Sequence, residues 1–216
     1  MKTYPFRLTN FHLDILKEIG NIGAGNAATS LSKILNRTIN MNVPDVQIMS
    51  FDDMMERLGG HEKEIASVFI RIEGDAPGSI FFVLTPEEAS MFISDMIGVE
   101  DNHLQAPPYN DLAISAYMEL GNIVSGSYLS ALSDFTNLNM QPSVPSVSID
   151  MVGAILTFGL MELSNISDQV ILIDTKLTDE LDKYSDITGR FFLLLDPDSF
   201  DKIFDSLGIA EDDQNR

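Results

Sequence analysis

The chain has no cysteine, which excludes disulfides, thiolate nucleophiles and Cys-ligated zinc. Its three histidines, His12, His61 and His103, stand singly, with no second histidine at metal-ligand spacing, so zinc chemistry of its own is not expected. Basic residues are scarce: 13 Lys and Arg against 33 Asp and Glu leave a formal charge of −20. Nucleic acids and anionic membranes are held largely by Lys and Arg, so neither is an expected partner, and a protein is. No apolar run approaches the roughly 20 residues of a membrane span. The segment from Met1 to Phe11 also lacks the continuous apolar core of a secretory signal. A cytoplasmic protein without membrane insertion is expected.

What the chain does have is a repeat. Asp14, Glu18, Asn21 and Gly25 recur as Ser115, Glu119, Asn122 and Gly126, all displaced by 101 positions, and Val43-Pro44 recurs as Val144-Pro145. After a ten-residue insertion the pairing resumes, with Gly78 to Pro86 matching Gly189 to Pro197. At 216 residues and 44% apolar content the chain suits a single globular domain built from two repeats, about 11–101 and 111–209. The segment Asn102 to Asn110, with Pro107-Pro108, reads as the linker, and the acidic tail from Glu211 to Arg216 as frayed.

Each half reads in one order: helix, strand, helix, strand, strand, helix. The long helices are expected at 11–36 and 111–135, and short strands at 45–50 and 144–149. Middle helices are expected at 51–58 and, longer, at 150–163. The β-branched and aromatic segments 65–73, 77–84, 169–177 and 188–196 read as strands. The final helices start just after Pro86 and Pro197, where a proline loses no needed donor. The expected fold is α+β in two layers: one sheet or two abutting sheets, covered by the two long helices, which run antiparallel or cross on the same face.

At 100° per residue Asp14, Glu18, Asn21 and Gly25 fall within about 60° of one helix face, while Ile15, Leu16, Ile19 and Ile22 lie toward the core. The second helix repeats this layout. A charged solvent face inherited by duplication is one reading; use of a repeated Glu and Asn is the other. Gly20, Gly23 and Gly25 each cost a helix about 1 kcal/mol relative to Ala, so they need a reason. Gly20 and Gly23 point to close helix packing, whereas Gly25 and Gly126 lie one turn beyond the Asn, where a missing side chain lets another molecule approach. The run Gly23 to Ala28 fits a dinucleotide fingerprint, but a helical pattern precedes it where that motif needs a strand, and no P-loop Lys follows.

The stretches LDILKEIGNIGAGNAATSLSKIL and SAYMELGNIVSGSYLSALSDF resemble the two signature helices of the CheC, CheX and FliY family of bacterial chemotaxis phosphatases, and two unbroken motif copies resemble the CheC type most. The resemblance implies hydrolysis of the aspartyl-phosphate of a CheY-type response regulator. It assigns catalytic roles to Glu18, Asn21, Glu119 and Asn122, with Asp14, Ser115, Gly25 and Gly126 as accessory positions. Mg²⁺ would come with the regulator, and this chain would carry no cofactor of its own. The second partner implied is the receptor deamidase CheD. Met151, Val152, Ile155, Phe158 and Met161 make the second middle helix the more apolar, and Asp150 at its start is a contact candidate, with a plain core helix as the alternative. A non-catalytic adaptor that sequesters CheD or senses the phosphorylated regulator is the competing function. Duplication can stand in for a homodimer, so a monomer is expected.

Overall fold

The computed structural model describes residues 8–98, 104–159, 161, 169–179 and 189–209. The first half runs α1 (Asn10–Leu35), β1 (Ile39–Asn42), β2 (Val46–Ser50), α2 (Phe51–Arg57), β3 (Glu64–Gly74), β4 (Gly78–Leu84) and α3 (Pro86–Ile97). The second half runs α4 (Asp111–Thr136), β5 (Met140–Pro142), β6 (Ser146–Met151), α5 (Val152–Gly159), β7 (Gln169–Asp179), β8 (Arg190–Leu195) and α6 (Pro197–Ser206). The α+β class and the duplicated order hold, with one additional short strand, β1 or β5, after each long helix.

Local chemistry sets the helix ends. Thr9 caps α1 through a box with His12, whose Nδ1 accepts from the Thr9 main-chain N–H at 3.1 Å. Asn36 and Asn137, equivalent under the repeat, close α1 and α4 in the left-handed region at φ 49° and 54°, a conformation Asn tolerates. Thr85 and Glu88 form the capping box of α3, followed by Pro86. Asp196 precedes α6 without capping it through its side chain, because its carboxylate is held by the Arg71 guanidinium, with Nη1 2.9 Å from Oδ1.

The eight strands among the described residues join one antiparallel sheet in the order β1-β7-β8-β4-β3-β5, with β2 also on β7 and β6 also on β3. The halves therefore exchange strands. β1 and β2 of the first half pair with β7 of the second, and β5 and β6 of the second pair with β3 of the first. The halves meet at the β4–β8 ladder, where Phe81 pairs with Phe192, its own duplicate, so the pseudo-twofold axis passes through that pair.

Both sheet faces are covered, and this corrects the two-layer expectation. Every residue of β4 is buried, and a strand apolar on both sides needs cover on both. One face packs under α1 and α4 together with Phe92 and Ile93 of α3 and Phe200 and Phe204 of α6. The other packs under Met54 and Met55 of α2 and Val152, Ile155 and Leu156 of α5.

The long helices cross antiparallel. A methyl at Gly23 would meet Leu132, while Ser127 Oγ donates to Ser30 at 2.7 Å, which centres the crossing near the equivalent residues Ala27 and Tyr128. Gly23 serves this crossing, since an added Cβ would lie 2.8 Å from Tyr128, whereas Gly20 and Gly121 let the helices settle on the sheet, where an added Cβ would lie 2.7 Å from Ile173 of β7 and 2.7 Å from Val68 of β3 respectively. The linker portion 104–110 is tied back by the Leu104 N–H, which donates to Ser90 Oγ at 2.9 Å. The acidic tail 211–216 lies outside the described residues.

Candidate functional site

The structure brings each motif together and keeps the two motifs apart. On α1, Asp14, Glu18 and Gly25 are exposed and Asn21 is half-buried; on α4, Ser115 and Glu119 are exposed and Asn122 and Gly126 half-buried. The core side of α1 holds Leu16, Ile19, Gly20, Gly23 and Ala24, and that of α4 holds Ala116, Leu120, Gly121 and Val124. Burial of those positions fixes the helix rotation and leaves the polar quartet outward.

Among the described residues Glu18 and Glu119 make no ion pair, and an added Cβ at Gly25 or Gly126 meets nothing within 4 Å. Each site is thus an acidic head, a carboxamide one turn on, and a bare stretch of backbone beyond. A surface helix gains nothing from glycine in open space, so the bare stretch is better explained by the approach of another molecule than by folding.

The two carboxamides differ. Asn21 Oδ1 accepts the main-chain N–H of Val43 at 2.9 Å, which leaves its amide N–H₂ pointing away from that bond. Among the described residues Asn122 has no side-chain hydrogen-bond partner, and Val144, the counterpart of Val43, is 87% exposed where Val43 is 2%. The Val-Pro recurrence flagged this loop in the sequence, but only the structure shows that one copy binds its Asn and the other does not.

Antiparallel crossing places the sites at opposite ends of the helix pair. Each Asn lies six residues before the crossing, so at 1.5 Å per residue the carboxamides are about 18 Å apart along the pair, and the glutamates about 27 Å. A hydrolase using Glu18 and Glu119 as one carboxylate pair needs roughly 5–10 Å, so that arrangement is excluded. Among the described residues no three His, Asp or Glu side chains converge as a metal site. No helix among them is long and apolar enough to cross a membrane.

Asp150 is not at a helix start. It lies on β6, exposed, and pairs with Ile65 of β3; the strand continues through Met151 because Glu64 is still available as its partner. The helix α5 that follows has 8 residues against 7 in α2 and Met161 beyond it is also helical; residues 160, 162 and 163 of the expected 150–163 helix lie outside the described residues. Asp150 borders a hollow lined by Ser67, Phe69, Phe81, Ile155 and Phe158. Phe158 stands 76% exposed at its edge, and Ser146 and Ser148 of β6 also line it.

The sequence model of the CheC-like family matches residues 11–48 and 112–149, one match on each repeat. Over 198 residues the chain is 44% identical to the CheY-P phosphatase CheC of Bacillus subtilis (strain 168), spanning 92% of this chain and 94% of that protein. It is 28% identical over 142 residues to the flagellar motor switch phosphatase FliY of the same organism, across 66% of this chain and 36% of that protein. In three dimensions it is similar to FliY of Thermotoga maritima, with a TM-score of 0.72 at 23% identity over 94% of this chain and 98% of that one. The FliM middle domain of H. pylori shares the same fold at a TM-score of 0.62 and 12% identity, over 92% of this chain and 99% of that one. With a doubled signature helix and 44% identity along almost its whole length, the chain belongs to the CheC-like family.

Proposed function

We propose that this phosphatase hydrolyses the aspartyl-phosphate of a CheY-type response regulator, using Glu18 with Asn21 and Glu119 with Asn122 as two independent sites. The observation that carries this reading is the repeated placement of a free carboxylate, a carboxamide and an open glycine on outward helix faces. Phosphoryl hydrolysis asks for an in-line water and charge neutralisation more than for covalent chemistry. A helix face can supply the first, by inserting a carboxamide that accepts a hydrogen bond from the water and aims its oxygen at phosphorus.

Mg²⁺ and a phosphate-binding lysine belong to the regulator in this reading. Each site of this chain offers one or two carboxylates and no histidine, too few ligands for a cation of its own. Glu18 or Glu119 pairs with the regulator's lysine, which docks the helix and fixes the Asn. Asp14 and Ser115 flank the pair one turn earlier and act on docking. Because the chain carries a charge of −20, the regulator's docking face must be locally basic for association to be fast. We place this activity in the cytoplasm, with the chain as a monomer. The test is release of phosphate from a radiolabelled regulator with and without this protein: faster release supports the reading, and an unchanged rate removes it.

Binding of CheD is the second part of the proposal. The hollow beside Asp150, with Phe158 at its rim, supports it, because so large an exposed apolar side chain is suited to a protein contact. It lies on the α5 side of the sheet, opposite the helices that bear the phosphatase sites. Both partners can therefore be held at once, so an adaptor role does not compete with catalysis. Phe158→Ser and Asp150→Arg should each weaken capture of CheD while phosphate release continues at its original rate.

A further inference from the structure

We propose that Phe11 and Leu112 are apolar anchors that seat the phosphorylated regulator on α1 and α4, an inference that rests on the function proposed above. Both are large apolar side chains left in the open, Phe11 at 49% and Leu112 at 56% exposure. They are equivalents under the 101-residue displacement and are the first residues matched in the two copies of the family sequence.

Scattered exposed apolar residues need no explanation, so what matters is whether exposure is repeated. At the other exposed apolar positions of the long helices and the following loops and strands it is not. Val144 is exposed but Val43 is buried, Phe135 is exposed but Ile34 packs on the core, and Ile48 is exposed but Ile149 packs on the core. Among the described residues, Phe11 and Leu112 alone keep a large apolar side chain exposed in both copies. Helix geometry then says what they are exposed for. At 100° per residue Phe11 falls about 60° from Asp14, beside the sector that holds Glu18, Asn21 and Gly25, and Leu112 stands in the same relation to the second site.

The anchor also specifies its occupant. Phe11 and Asn21 are ten residues apart, as are Leu112 and Asn122, so each anchor lies about 15 Å along the helix from the carboxamide that acts on phosphorus. The regulator must present an apolar depression about 15 Å from its phosphoaspartate, with its lysine between the two to meet Glu18 or Glu119. An apolar contact suits this pair of proteins because it does not depend on charge, and a surface of −20 provides little long-range attraction toward an acidic phosphorylated pocket.

The experiment uses the full chain carrying Phe11→Gln and Leu112→Gln, with helix content and melting temperature recorded by circular dichroism. Affinity is measured for a CheY-type regulator activated with beryllofluoride, and kcat and KM for its phosphorylated form. The expected result is a roughly tenfold or greater rise in Kd and KM, with kcat within about twofold of the original. The Phe11→Leu, Leu112→Met variant should bind as the original does. If the Gln variant fails to fold, Phe11→Ala with Leu112→Ala replaces it, since Ala is the better helix former. A folded variant with unchanged Kd overturns the proposal, as does a change in oligomeric state without a change in regulator affinity. The Asn21→Ala, Asn122→Ala variant separates this from the parent reading. If that variant is inactive while the anchor variant binds normally, the anchors alone are wrong; if it remains fully active, the phosphatase sites themselves are wrong.

Discussion

The Val43 main-chain N–H donates to Oδ1 of Asn21 at 2.9 Å, a bond that the duplicate Asn122 does not make. The carboxamide oxygen has two lone pairs, so at the first site it accepts the attacking water's hydrogen bond while shared with Val43, and at the second it accepts it without that competition. A neutral hydrogen bond is worth about 1 kcal/mol net, which is about fivefold in rate. Sharing weakens the bond to water by at most that amount, so Asn122→Ala should remove the larger share of the phosphatase activity, and Asn21→Ala the smaller share, by up to about that factor. Single-turnover rates of the two variants on one regulator decide this; equal losses would mean that the Val43 contact has no bearing on turnover.

The glycines should divide into two behaviours. Gly25→Leu and Gly126→Leu fill open space and remove a helix-weakening residue, so stability should hold or rise by up to about 1 kcal/mol each while regulator binding falls. Gly121→Ala should do the reverse, because its Cβ would lie 2.7 Å from the stiff, β-branched Val68; a loss of roughly 1–3 kcal/mol is expected, with the site face untouched. Denaturant unfolding alongside regulator binding tests both.

Glutamate and asparagine should fail differently. Glu18→Ala and Glu119→Ala remove the salt bridge that forms on docking, so they should raise KM as well as lower kcat, and the loss should shrink in high salt. A kcat loss at unchanged KM would move the glutamates out of docking.

Neither half should fold alone. A fragment of residues 1–101 keeps the β3–β4 hairpin but loses β7, the partner of β1 and β2, and a two-stranded hairpin is marginal in water. Circular dichroism of the fragment should show a largely unfolded chain, and mixing it with residues 104–216 should restore the sheet signal.

Much of this was legible in the sequence because it is written in local periodicity. The 101-residue repeat, the outward quartet on each long helix and the proline starts of α3 and α6 all depend on neighbouring residues. The strand exchange was not legible. β1 has only four residues, and its partners on β7, such as Leu177 opposite Met41, lie more than 130 positions away. Asp150 was misplaced for a related reason: the apolar run from Met151 onward suits a helix, and only the ladder to Ile65 and Glu64 keeps residues 150 and 151 extended. Phe11 and Leu112 were visible as apolar residues, but their shared exposure is a property of the packed molecule.

The most direct test of the central claim is the double variant Asn21→Ala, Asn122→Ala, assayed for phosphate release from the radiolabelled regulator. Both side chains are at least partly solvent-accessible, so the fold should survive by circular dichroism and regulator binding should persist. Losing a positioned polar group typically lowers a rate by roughly 10²–10³-fold, so the acceleration of phosphate release should vanish. A folded double variant that releases phosphate at the original rate would contradict the account.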